Sequence, residues 1–230
     1  MQIRYALYFT PPPGHPLREL GSTLLGYDCN IGELRPQPVL PGIDAEEQHR
    51  FTEDPRRYGF HATLKAPFRL AEESSEIALR RDLMTFASRT PPIELGALVP
   101  ALLGRFIALV PAAPSAALAL FAAECVAAFE PHRAALTEAG RARRNPDAMP
   151  RRRAALLDRW GYPYVFEEFR FHMTLTGALP EERRAFWLER LAPLCDGLPP
   201  VTIDAVSLLR QEGPDQRFRV IERVMLGTLL

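Results

Sequence analysis

Phe60-His61-Ala62-Thr63-Leu64 recurs as Phe171-His172-Met173-Thr174-Leu175, and reading both stretches as extended chain decides the fold. In a strand residues i and i+2 share a face, so His61 projects with Thr63 and His172 with Thr174. The alternate residues Phe60, Ala62 and Leu64, with Phe171, Met173 and Leu175, make an apolar face that helices can cover. Each copy predicts a sheet backed by helices, its polar His/Thr face left open.

The repeat extends beyond the motifs. Pro91-Pro92-Ile93 matches Pro199-Pro200-Val201, and Arg105-Phe106 matches Arg217-Phe218, in the same order and at nearly constant separation. Around each copy the pattern predicts strand, helix, strand, strand: 58–70, 76–88, 93–99 and 105–110 first, then 169–176, 180–194, 201–209 and 217–226. A strand at 3–9, a helix at 17–25 and an alanine-rich helix at 115–129 complete the chain. The expected fold is a single bilobal α+β domain over 1–230: two pseudo-symmetric lobes, each an antiparallel sheet with helices on the outer face, and an active-site cleft between them. The lobes span approximately 45–130 and 165–230, joined by an arginine-rich connection at 131–164 that reads as a lid.

Composition narrows the partners. With 230 residues, 47% hydrophobic and 24% charged, the chain can bury a sizeable core. Its 28 basic and 28 acidic residues cancel, which gives no field toward long nucleic acid or an anionic membrane. The three cysteines Cys29, Cys125 and Cys195 lie far apart with no CxxC pair, which fits a reducing compartment. No secretory leader is read in MQIRYALYF, so a cytoplasmic protein is expected.

Two imidazoles and two hydroxyls lining a cleft suit a phosphodiester. A neutral histidine can take a proton from attacking water while a protonated one gives a proton to the leaving oxygen. The threonine hydroxyls can donate to the non-bridging oxygens. Two histidines with no carboxylate or thiolate at ligand spacing fall short of the three or four ligands of a zinc site, so no metal and no cofactor is expected.

Paired HxT motifs about a hundred residues apart resemble those of the two-histidine (2H) phosphoesterase superfamily. RYALYFTPPPGHPL, YGFHATLKAPF and WGYPYVFEEFRFHMTLTG extend the likeness over the chain, to a bacterial subfamily associated with phosphonate metabolism and often encoded beside carbon–phosphorus lyase components. The resemblance implies that His61 and His172 are the catalytic acid/base pair, that Thr63 and Thr174 bind phosphate, and that no metal takes part. It also implies a substrate class, a small and probably cyclic phosphodiester such as a ribose or nucleoside cyclic phosphate. Which histidine is the base stays open.

Further candidates surround the motifs. Lys65, the only lysine, shares the face of His61 and Thr63 by strand alternation and could offer a compact cation to phosphate. Tyr58 falls on the opposite parity; Tyr162 and Tyr164, flanking Pro163, could wall the cleft. Arginines of the connection, Arg133 and Arg144 among them, could meet a second phosphate. His15, His49 and His132 receive no role. Two other functions compete with a small-molecule phosphodiesterase: an RNA-end cyclic phosphodiesterase or 2′,5′-ligase-like enzyme, which a basic strip beside the cleft would favour, and a non-catalytic module binding a nucleotide or phosphometabolite. A two-histidine mechanism predicts a bell-shaped rate profile around neutral pH.

Overall fold

The computed structural model describes residues 3–227. Its elements in chain order are β1 (Arg4–Phe9), α1 (Pro16–Leu25), β2 (Tyr27–Asp28), β3 (Glu33–Leu34), α2 (Ala45–Arg56), β4 (Ala62–Phe68), α3 (Glu76–Arg89), β5 (Ile93–Gly96), β6 (Leu98–Leu103) and β7 (Phe106–Pro111). After these come α4 (Ala116–Ala128), α5 (Glu138–Ala142), α6 (Arg151–Trp160), β8 (Met173–Thr174), α7 (Glu181–Cys195), β9 (Val201–Ile203), β10 (Ala205–Gln211) and β11 (Arg219–Met225).

The antiparallel α+β architecture is borne out, with a refinement. Seven strands form one sheet in the order β11-β10-β1-β4-β8-β7-β6, so the two motif strands are central neighbours rather than opposed across a gap. Outward from the β4–β8 boundary the order is β4, β1, β10 on one side and β8, β7, β6 on the other. β1, which the internal sequence match leaves unpaired, takes in one half the place that β7 takes in the other. A strand from the C-terminal half thus flanks β1, and one from the N-terminal half flanks β7. The short β5 and β9 pair with each other in a separate ribbon.

One face of the sheet carries the main core. Tyr5, Leu7 and Phe9 of β1 pack there with Leu17 and Leu24 of α1, Leu79 and Leu83 of α3, Phe121 and Cys125 of α4, and Trp187 and Leu191 of α7. α1 starts at Pro16, where a missing N–H does no harm, and ends at Gly26 with φ +74°. It docks through Gly21, where an added Cβ would sit about 2.0 Å from the Phe60 ring. Ser75 and Ser115 accept hydrogen bonds from Ala78 N and Leu118 N, capping α3 and α4.

The sequence reading passes over α2 because that helix has no apolar stripe. Its buried residues are Gln48, Thr52, Pro55 and Arg56, and hydrogen bonds anchor it: Arg56 Nε donates to Leu25 O at 2.5 Å, and Glu47 accepts from Arg183 and Trp187 of α7. Asp44 caps it through Glu47 N at 2.7 Å. The predicted strands at 93–99 and 201–209 each break in two, at Ala97 and Asp204, where the chain passes from the β5–β9 ribbon to the main sheet.

Candidate active site

The open face of the sheet holds the motif side chains. Ala62 pairs with Met173 across antiparallel β4 and β8; one step to either side sets His61 opposite Thr174 and Thr63 opposite His172. The two His/Thr pairs thereby make a compact diagonal quartet. Both imidazoles are oriented alike. His61 Nδ1 lies 2.9 Å from Gly59 O and His172 Nδ1 lies 2.8 Å from Arg170 O, each the carbonyl two residues earlier. A carbonyl only accepts, so each Nδ1 carries the hydrogen, and each Nε2 is the nitrogen left free of that contact. Thr63 Oγ1, 3.2 Å from His61 Nε2, donates to it.

The two histidines have different neighbours, because β1 and β7 differ at one equivalent place. Tyr8 sits opposite Thr63, whereas Ala108 sits opposite Thr174. The Tyr8 ring stacks on His61 at 3.8 Å between centroids, with planes 21° apart; alanine leaves His172 without such a cover, and Phe106 lies at 5.6 Å. Burial, reinforced by the nearby His172, pushes the His61 pKa down to about 4 against the pull of its bond to Gly59. Its imidazole is neutral at pH 7.

Gly59 serves this geometry twice. It holds φ +75°, and an added Cβ would fall 2.4 Å from Cys29 Cβ, so only glycine delivers its carbonyl to His61. Because the chain turns there, strand parity does not reach Tyr58. The Tyr58 ring lies 6.2 Å from His61 and stacks on Phe218 at 5.4 Å, beside the cleft.

A cavity of about 420 Å³ is lined by Thr63 and His172 of the quartet, but not by His61 or Thr174, and is walled by Phe106, Tyr162, Tyr164 and Phe169. His61 stands behind it under Tyr8, reached through the Thr63 hydroxyl. Tyr162 and Tyr164 pack edge to face at 5.5 Å. Phe166, also on this wall, holds φ +54° and packs against Trp160.

Lys65 is corrected. The β1–β4 register shifts between Tyr8 opposite Thr63 and Leu7 opposite Lys65, and this bulge turns Lys65 to the helix-covered face with Leu7. There its Nζ donates to Val126 O at 2.8 Å and Glu130 Oε2 at 3.0 Å, and the residue is only 3% exposed. It ties β4 to the end of α4 and is not turned toward the cleft. Arg133 is committed to Glu130 at 2.7 Å, whereas Arg144 lies over the Tyr162 ring at 5.5 Å. His132 is buried between Ser74 and Asp82, and His15 caps α1. Tyr8 and Phe106 escape the sequence reading as site residues, since nothing local to 3–9 or 105–110 marks them as neighbours of a histidine, and Gly59 escapes it because its positive φ leaves no unambiguous mark in the sequence.

Among the described residues no helix is long and apolar enough to cross a membrane, and no group of three or more His, Cys, Asp or Glu is placed to hold a metal ion. A family model described as "Protein of unknown function (DUF1045)" matches residues 63–219. Two curated proteins, both named ribose 1,5-bisphosphate phosphokinase PhnN, are similar. The one from Janthinobacterium sp. (strain Marseille) is 39% identical over 96% of this chain and 50% of its own length. The one from Laribacter hongkongensis (strain HLHK9) is 38% identical over 97% and 52%. The chain spans about half the length of these relatives. Among solved structures, E. coli LigT complexed with 3′-AMP aligns over 99% of this chain and 100% of its own, with TM-score 0.42 and 16% identity. A structure described as a phosphoesterase aligns at 0.43 and 15%, over 99% and 100%.

Proposed function

The chain belongs to the DUF1045 family, and we propose that it is a metal-independent phosphodiesterase opening a small cyclic phosphodiester, a ribose or nucleoside cyclic phosphate. One observation carries this: two imidazoles, each one residue before one of two adjacent strands, each held by the carbonyl two residues earlier, with a threonine hydroxyl on the same face.

His61, neutral at pH 7, is the base. Thr63 Oγ1 caps its Nε2; when a phosphate binds, that hydroxyl turns to a non-bridging oxygen and frees the nitrogen for water. Water loses a proton to His61 as its oxygen bonds to phosphorus. The bond from phosphorus to the leaving oxygen breaks, and His172 Nε2–H supplies the proton that oxygen needs. Thr174 donates to the second non-bridging oxygen. The anion in the cleft also stabilises the imidazolium forming at His61, offsetting the burial that disfavours it.

The name of the curated relatives supports the ribose class. Opening the 1,2-cyclic phosphate of ribose 5-phosphate at its 2-oxygen yields ribose 1,5-bisphosphate, the compound those names specify as a kinase substrate. An activity of that kind in this chain would supply such a kinase.

The test is turnover of 2′,3′-cyclic nucleotides and ribose cyclic phosphates by the purified chain with chelator present. His61→Ala and His172→Ala should each lose about 10²- to 10⁴-fold. A wild type inert on every ester, or a variant as fast as wild type, would refute the assignment.

A further inference from the structure

We propose that a second cavity, beside the histidine cleft, is a subsite for a phosphate monoester carried by the same small ligand, so that the substrate is doubly phosphorylated. This rests on the phosphodiesterase reading and adds to it the chemistry of the substrate's far end.

The cavity, about 580 Å³, is lined by Arg4, Arg57, Arg69, Arg133, Arg143 and Arg144, and no carboxylate lines it. These arginines come from β1, the end of α2, the end of β4 and the 131–164 connection, so the tertiary fold gathers them. Elsewhere in the connection Arg141 pairs with Asp158, Arg152 with Glu167 and Arg153 with Glu168, and among the described residues only the exposed Arg151 has no carboxylate partner. Here only Arg133 has a carboxylate partner among the described residues. In a chain whose charges cancel, five guanidinium groups without an ion pair around one concavity are a local field that an anion would satisfy. The field is not free to the protein. Burial, aided by the like charges of Arg4 and Arg143, lowers the Arg144 pKa below the ordinary arginine value. Planar guanidinium forks fit phosphate oxygens bidentately.

The subsite adjoins the chemistry. Tyr58 lines the arginine cavity, and its ring is 6.2 Å from His61. Arg144, also on the cavity wall, lies over Tyr162, which walls the histidine cavity. A pentose with phosphates at opposite ends would pass along this shared tyrosine wall. The arginines ring one concavity instead of running as a strip along the surface, and the charges of the whole chain cancel, which favours such a ligand over the RNA end that a basic strip would have suited.

The experiment is calorimetric titration of the full chain with ribose 5-phosphate, which has the monoester and lacks the cyclic ester. Binding should persist within about twofold in His172→Ala and weaken tenfold or more in Arg69→Gln/Arg143→Gln. Should the double variant fail to fold, the exposed Arg143→Gln alone is expected to weaken binding several-fold. In turnover, ribose 1,2-cyclic phosphate bearing a 5-phosphate should be preferred at least tenfold over the same compound without it, and the arginine variants should erase that preference. Binding that vanishes in His172→Ala, or is indifferent to the arginines, overturns the subsite. So does a single-stranded RNA that displaces ribose 5-phosphate equally well with or without its own 5′-phosphate. Loss of turnover with arginine-dependent binding retained would instead sink the phosphodiesterase reading alone.

Discussion

Lowering the pH from 7 to 4.5 should destabilise the wild type by about 2 kcal/mol more than it destabilises His61→Asn. In the folded chain burial holds the His61 pKa at about 4, below the ordinary histidine value of 6.5. The unfolded chain therefore binds the proton first as pH falls. Stability from the neutral imidazole is fully present above pH 6.5, declines through the interval and is gone below 4. At 1.36 kcal/mol per unit, the whole effect is about 3 kcal/mol, most of it lost by pH 4.5. Urea denaturation of both proteins at closely spaced pH values measures it. Acid loss from carboxylates is common to the two chains and cancels in the difference, and asparagine does not titrate. A difference that stays flat between pH 7 and 4.5 would refute the claim that burial depresses His61, and with it the reason for naming His61 the base.

Three further outcomes are expected. Tyr8→Ala, which gives β1 the residue that β7 has, should raise the His61 pKa toward 6.5 by proton NMR titration and move the acid limb of kcat/KM upward with it; an unmoved titration would assign the depression to something other than the stack. Gly59→Ala should cost at least about 2 kcal/mol in stability from its positive φ and its overlap with Cys29, and should slow turnover by releasing His61 Nδ1; wild-type melting and rate together would contradict the tether. Glu130→Gln, leaving the buried Lys65 ammonium without its carboxylate, should destabilise by about 3 kcal/mol in urea, whereas Lys65→Met should cost less; the reverse ranking would reopen a cleft-facing role for Lys65.

Much of this molecule was legible in ten residues. Period-two alternation in the two FHxTL stretches foretold the polar face, the apolar backing and the antiparallel sheet, because alternation is a local property of extended chain. What failed were inferences carried across local irregularities. Lys65 lies beyond a bulge and Tyr58 beyond a glycine at φ +75°, and both features break parity without an unambiguous mark in the sequence. α2 hid because hydrogen bonds rather than an apolar stripe hold it down. The Tyr8 stack and the arginine-lined cavity join residues far apart in the chain, which pattern reading along one strand does not reach.

The interleaved order of the sheet bears on how such a molecule can change over time. Since β10 lies beside β1 and β6 beside β7, each half closes the other's edge, and neither copy of the motif can be shed or inherited alone without exposing a strand of its twin. The two histidines held in that clasp share one folding fate, yet each keeps its own lining strand. There tyrosine lies over one and alanine stands beside the other, so the surroundings of the two diverge with no change of backbone path.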